Sequence, residues 1–179
     1  MRAPRDALVA AVAGLAVAAG LGCAARGSDD VQSAPVQAMT IDADLLRTWS
    51  EKLCKMPAGD AAAAASALGI AGQVAAQGDY STVEPPPPGA SKLMLVKGEG
   101  GIGHLDIMLS GSALNRADLD ARFGKGNLLP RVSAGRPYRV AYHVAVAGAP
   151  FTCEMIASFA EEPGDATAAT EVVLRRDRA

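Results

Sequence analysis

The chain has 179 residues, of which 38 are alanine and only 7 are aromatic. Half of it counts as hydrophobic. Alanine is too small to anchor a core, however, so this composition allows one compact domain or two very small ones and excludes a large enzyme. The 17 basic and 19 acidic side chains are spread along the chain to a net charge of −2, which excludes an electrostatic footprint for nucleic acid.

Residues 1–22 read as a secretory signal. Arg2 and Arg5 form a basic start, and Ala7 to Leu21 is uncharged and built from Ala, Val, Leu and Gly. That stretch is short of the about 20 apolar residues a membrane-spanning helix requires. It runs into Gly20-Leu21-Gly22-Cys23, which resembles the bacterial lipobox. The resemblance implies that Cys23 carries lipid, palmitate included, and becomes the new N-terminus. It also implies a lipid-anchored envelope protein: Ala24 is not the Asp that retains such proteins at the inner membrane, so in a Gram-negative cell the periplasmic face of the outer membrane is expected. Ordinary cleavage nearby, for example after Ala25, is the alternative. Residues 23–40 lack periodicity, are rich in Ala, Ser, Asp and Gln, and read as a flexible tether to a domain over 41–176.

With Cys23 lipidated, two cysteines remain, Cys54 and Cys153. An oxidising compartment allows them to pair, and chain entropy assigns closure of a loop of about 100 residues about 4.7 kcal/mol. Two buried free thiols are the alternative; with no C-x-x-C present, redox catalysis is not expected.

Asp42 is placed to cap a helix to about Met56, with Leu45, Leu46, Trp49, Leu53 and Met56 on one face, ended by Pro57 and Gly59. Asp60 caps a second helix over Ala61–Leu68, stopped by Gly69. The period then moves toward two. Strands are predicted near Ile70–Val74, Tyr80–Val83, Leu93–Lys97 and Leu105–Leu109, with Pro85–Pro88 as a rigid extended crossover. Asn115 caps a third helix to Phe123, closed by Gly124. Strands follow at Tyr138–Val146, Phe151–Phe159 and Glu171–Leu174, the first two joined by the turn residues Ala147-Gly148-Ala149-Pro150. Helices grouped ahead of strands predict an α+β fold, with short N-terminal helices packed on an antiparallel sheet.

No constellation for catalysis, cofactor or metal emerges. Gly98-Glu99-Gly100-Gly101-Ile102-Gly103 matches the dinucleotide string G-x-G-x-x-G. The alternating residues His104–Leu109 that follow predict a strand, whereas pyrophosphate binding needs a helix N-terminus there. The glycines read as a mobile hairpin connection. His104 and His143 have no partners at zinc-ligand spacing and read as solvent-facing strand positions. There is no G-x-S-x-G, Cys54 and Cys153 lack a neighbouring base, and Glu161-Glu162 read as solvated turn residues.

Leu114, Asn115, Leu119, Phe123 and Gly124 fall, in order, on the slots of a motif in the SmpA/OmlA family of small outer-membrane lipoproteins, which the segment resembles. That family includes the E component of the outer-membrane β-barrel assembly machine. The hairpin Tyr138–Val146 with Phe151–Phe159 and the strand near Val172 are similar to that family's helix-then-three-strands ending. The β-lactamase inhibitory proteins share this fold in tandem copies. Gly59-Asp60, Ala64 and Leu68-Gly69 occupy the same slots 55 residues earlier, suggesting a tandem αβββ repeat with halves 57–111 and 112–176 tied by Cys54–Cys153.

The expected function is a non-enzymatic envelope lipoprotein that binds or scaffolds an envelope protein. An inhibitor- or immunity-like binder, or a carrier of a small hydrophobic ligand, is the alternative. Interface anchors are commonly Trp, Tyr and Arg. Trp49 reads as core, which leaves Tyr138, Arg139, Tyr142 and Arg136, with Arg131 and Tyr80, as the candidate partner-binding cluster.

Overall fold

A computed structural model describes residues 40–111 and 114–178; the signal, Cys23 and the tether lie outside the described residues. Three helices, α1 (Ala43–Lys55), α2 (Ala61–Leu68) and α3 (Arg116–Phe123), accompany eight strands: β1 (Gln73–Gln77), β2 (Tyr80–Glu84), β3 (Ala90–Gly98), β4 (Gly101–Leu109), β5 (Asn127–Leu128), β6 (Tyr138–Val144), β7 (Phe151–Phe159) and β8 (Ala169–Arg178). The strands form one antiparallel sheet in the order β1-β2-β3-β4-β8-β7-β6-β5. The α+β class with an antiparallel sheet is therefore correct.

Local chemistry sets the helix ends. Asp42 accepts the Leu45 N–H at 2.7 Å and Asp60 accepts the Ala63 N–H at 2.8 Å. Asn115 and Asp118 exchange the reciprocal bonds of a capping box. Gly69, at φ +76°, closes α2 in the left-handed conformation that glycine adopts without strain. Asp44 in the first turn of α1 and Lys52 and Lys55 in its last turn complement the helix dipole.

All three helices cover one face of the sheet, α1 over β7 and β8, α2 over β1, β3 and β4, and α3 over β6. Beneath them run two continuous cross-strand rows, Leu95–Leu105–Leu174–Met155–Tyr142 and Leu93–Ile107–Val172–Ala157–Val140. Every member of both rows is buried. Trp49 is fully buried and its indole N–H donates to the Leu68 carbonyl at 3.1 Å, joining α1 to the end of α2.

The end of α1 is fixed twice. A disulfide links Cys54 to Cys153 of β7 across 99 residues. Beside it the buried Arg176 of β8 donates to the carbonyls of Leu53 (3.2 Å), Met56 and, in the β3–β4 turn, Gly100 (3.2 Å). Its guanidinium also stacks on Phe151, 4.4 Å from the ring centroid.

Several boundaries differ from expectation. The glycine run is a tight turn, with Gly101 and Gly103 inside β4. A Cβ on Gly98 would sit 2.7 Å from Gly103 Cα, and one on Gly101 would sit 2.9 Å from backbone atoms of Gly59, so close backbone approach accounts for the glycines. Each short helix is followed by four strands instead of three: α2 by β1–β4 and α3 by β5–β8. The extra strand of the second set, β5, has two residues and exists only through its pairing with β6. Strand β8 is ten residues long because β4 and β7 pair with its two sides.

Replacing Cys54 and Cys153 together by alanine should lower the unfolding free energy by about 3–5 kcal/mol, read from urea denaturation midpoints. Arg176→Ala should cost about 2–4 kcal/mol in the same assay, because buried carbonyls lose their donor.

Candidate functional site

Side chains at alternate positions of a strand point to opposite faces. The residues between the buried rows therefore lie on the other face of the sheet, where no helix packs among the described residues. Three cross-strand rows result: Tyr80–Val96–His104–Arg175–Glu154–His143, Thr82–Met94–Asp106–Val173–Ile156–Ala141, and Met108–Glu171–Ser158–Arg139. The helix-covered face is almost wholly apolar, whereas this one carries acidic and basic side chains across β4, β8, β7 and β6, among them His104, Asp106, Glu171, Arg175, Glu154, Arg139 and His143.

A cleft of about 520 Å³ lies over the centre of this face, lined among others by His104, Asp106, Arg139, Ser158, Glu171 and Arg175. Asp106 is its most unusual group. One carboxylate oxygen, Oδ1, is buried without a hydrogen-bond partner and lies 3.6 Å from His104 Nε2. Burial raises its pKa above the ordinary value; the nearby His104 opposes this and the like charge of Glu171 adds to it. Glu171 is steadied by the Ser158 hydroxyl, which donates to it at 3.1 Å. Arg175 is engaged by Asp177 at 2.7 and 3.0 Å.

The cleft continues into a hollow of about 310 Å³ that shares Arg139, Ser158 and Glu171 and adds Arg131, Val132 and Arg136 from the loop between β5 and β6. Arg131 stacks on the Tyr138 ring at 4.2 Å and donates to the Arg136 carbonyl at 2.8 Å. Val132 is 85% exposed. The Arg139 guanidinium makes no hydrogen bond or ion pair with any described residue. The trench thus carries an acceptor lacking a donor near one end and an unengaged guanidinium near the other, and it suits charge-assisted hydrogen bonds to a partner bearing both charges.

The candidate cluster named from sequence is divided by this geometry. Arg139, Arg136 and Arg131 meet at the hollow, with Tyr138 as the stacking surface for Arg131. Tyr142 is a correction: it is 1% exposed on the helix side, and its hydroxyl donates to Asp120 of α3 at 3.0 Å. It is a core residue because it shares the inward phase of β6 with Val140 and Val144. Burial and the Asp120 carboxylate push the Tyr142 pKa upward. For Asp120, burial acts to raise the pKa, but the Gly126 N–H, the Tyr142 hydroxyl, Lys125 and Arg116 together hold it below the usual carboxylate value. Tyr80 lies apart, its hydroxyl donating to Gln77 at 2.8 Å.

His104 and His143 both occupy the open face, as expected, but the cleft gathers only His104. The residues that sequence reasoning missed are Asp106, Ser158, Glu171 and Arg175. The phase of each strand carried the signal, but the strand order that makes them neighbours is not written locally.

No protein-family model matches the chain, and no curated protein or solved structure matches it either.

The raised pKa of Asp106 has a definite sign. The folded state holds this proton more tightly than the unfolded chain, so the associated stability is complete below the unfolded pKa, 3.8, and is lost as pH rises through the higher folded value. Asp106→Asn should abolish that loss and leave the protein at least as stable as wild type at neutral pH, measured as urea midpoints across an acid-to-neutral series.

Proposed function

We propose that the chain is a non-enzymatic envelope lipoprotein that docks a folded envelope protein on the helix-free face of its sheet. The observation that carries this reading is the charged trench, in which, among the described residues, a buried Asp106 oxygen accepts no hydrogen bond and Arg139 pairs with no acid. In a natural protein a buried polar atom without a partner calls for an explanation, and a bound protein supplies one by presenting a basic side chain to Asp106 and a carboxylate to the Arg131–Arg136–Arg139 hollow. Complementary charges of this kind steer encounter and fix register. Membrane attachment comes from lipidation at Cys23, and in a Gram-negative cell the domain would hang on its tether from the periplasmic side of the outer membrane. More than one acyl chain makes such an anchor stable.

An inhibitor-like binder is the second reading, favoured by the resemblance of the halves. Helices α2 and α3 each span eight residues, start at an Asx cap and end at a glycine. Each leads into a four-stranded antiparallel meander. The last strands of the two meanders, β4 and β8, pair antiparallel at the sheet centre, as two copies related by a two-fold axis would. We read this as a tandem repeat, with four strands after each helix where the αβββ unit expected from the resemblance to the β-lactamase inhibitory proteins has three.

The test is affinity capture from membranes with the full anchored chain. An envelope protein retained by wild type and by Lys52→Glu, on the helix side, should be lost with Asp106→Lys or Arg139→Glu. Equal recovery with all four chains would sink the docking face. Cys23→Ala should release the protein from membranes and remove palmitate labelling; unchanged fractionation would refute the anchor.

A further inference from the structure

The two edges of the sheet are treated differently. β5 ends one side with only two residues, followed closely by Pro130. Shortness and proline are the ordinary devices that stop an edge from pairing with another chain. β1 ends the other side with five residues, Gln73-Val74-Ala75-Ala76-Gln77, and has none of these protections. It holds no lysine, proline or acid, all but Val74 are exposed, and among the described residues no strand pairs with its outer side. A strand of this length presents about 17 Å of backbone donors and acceptors.

The edge is also held in shape. A Cβ on Gly72 would lie 2.8 Å from Val83 Cγ1 and 3.1 Å from the Glu84 carbonyl, so the chain enters β1 pressed against β2. At the other end the Tyr80 hydroxyl and Thr82 Oγ1 engage the Gln77 amide, at 2.8 and 3.4 Å. Little conformational freedom is left to lose on pairing, which favours association.

We propose that β1 is a self-association seam at which two copies of this chain join β1 to β1, antiparallel about a two-fold axis at Ala75, doubling the width of the sheet. The reasoning for a second copy is self-complementarity. Gln-Val-Ala-Ala-Gln reads nearly the same in both directions, so antiparallel pairing sets Gln73 opposite the partner subunit's Gln77, Val74 opposite the partner subunit's Ala76, and Ala75 opposite the partner subunit's Ala75. The glutamines can exchange amide hydrogen bonds, the small residues clash with nothing, and no charge meets its like. A charged partner strand would find no complement on this edge. The exposed side of the adjacent α2, with Ala62, Ala63, Ser66 and Ala67, is uncharged as well. The seam is small beside the about 1,000 Å² of a stable interface, so the dimer is weak in solution and gains from the raised local concentration of chains confined to one surface. It leaves the charged trench free.

Analytical ultracentrifugation of the full chain in nonionic detergent tests this. Wild type should show a reversible monomer–dimer equilibrium at roughly 10 µM to 1 mM, the range expected of an interface this small. Ala75→Lys and Ala75→Glu should each be monomeric, since like charges directly opposite across a strand pair repel, and circular dichroism should show both folded. An equimolar mixture of the two should dimerise again. In addition Ala75→Cys should form an intersubunit disulfide on oxidation, because directly opposed strand positions fall within disulfide reach. A monomeric wild type, charged variants that still dimerise, or a mixture that stays monomeric would each overturn the seam.

Discussion

The buried guanidinium of Arg176 sits where three parts of the chain must agree. Among the described residues it has no carboxylate partner; its charge is met by carbonyls at the end of α1 and in the β3–β4 turn, and by the face of Phe151. Burial lowers its pKa, yet a guanidinium starts so high that it remains charged. Its strand, β8, lies at the middle of the sheet between β4 and β7, so the same residue that closes the sheet also seats the helix. Removing the donor would leave helix-terminal carbonyls facing an apolar interior, where an unpaired acceptor is costly. The Cys54–Cys153 link beside it restrains the same helix end, one tie acting through dipoles and the other through a covalent bond.

With α1 seated, the two faces of the sheet have separate roles. The helix side is largely apolar, and several of its polar groups are paired: the Trp49 N–H with Leu68, the Tyr142 hydroxyl with Asp120, and the Asp120 carboxylate with several donors. On the open side, among the described residues, one Asp106 oxygen accepts no hydrogen bond and the Arg139 guanidinium makes no ion pair. Two buried or half-buried carboxylates thus have pKa values shifted in opposite directions, Asp120 down and Asp106 up. The difference is one of donors. Asp120 is surrounded by N–H, O–H and cationic groups, whereas Asp106 has His104 Nε2 only at 3.6 Å and the acid Glu171 nearby.

The helices were the most legible part of the chain, because their signals are local. Asp42, Asp60 and Asn115 act on N–H groups three residues away, and Gly69 and Gly124 end their helices through their own backbone. Strands were legible in approximate position but not in length. β5 has no hydrophobic pattern of its own, and β8 extends beyond Glu171–Leu174 because neighbours on both sides pair with its ends. In the candidate cluster the alternation of Tyr138, Val140, Tyr142 and Val144 already implied that Tyr142 points inward and that Arg139, one residue from Tyr138, points the opposite way. Grouping them by residue type overrode that phase.

By itself the sequence determined a lightly built α+β chain with three capped helices, a Gly-rich hairpin connection and two cysteines available to pair across the domain. These follow from near-neighbour sterics, hydrogen bonding and hydrophobic period. Only the tertiary structure decided the strand order, the side of the sheet on which the helices lie, and hence that Asp106, Glu171, Ser158 and Arg139 come together in one trench. The physical reason is that sheet neighbours are chosen by long-range pairing: β4 meets β8 through a contact some seventy residues distant in the chain, and no local interaction records it.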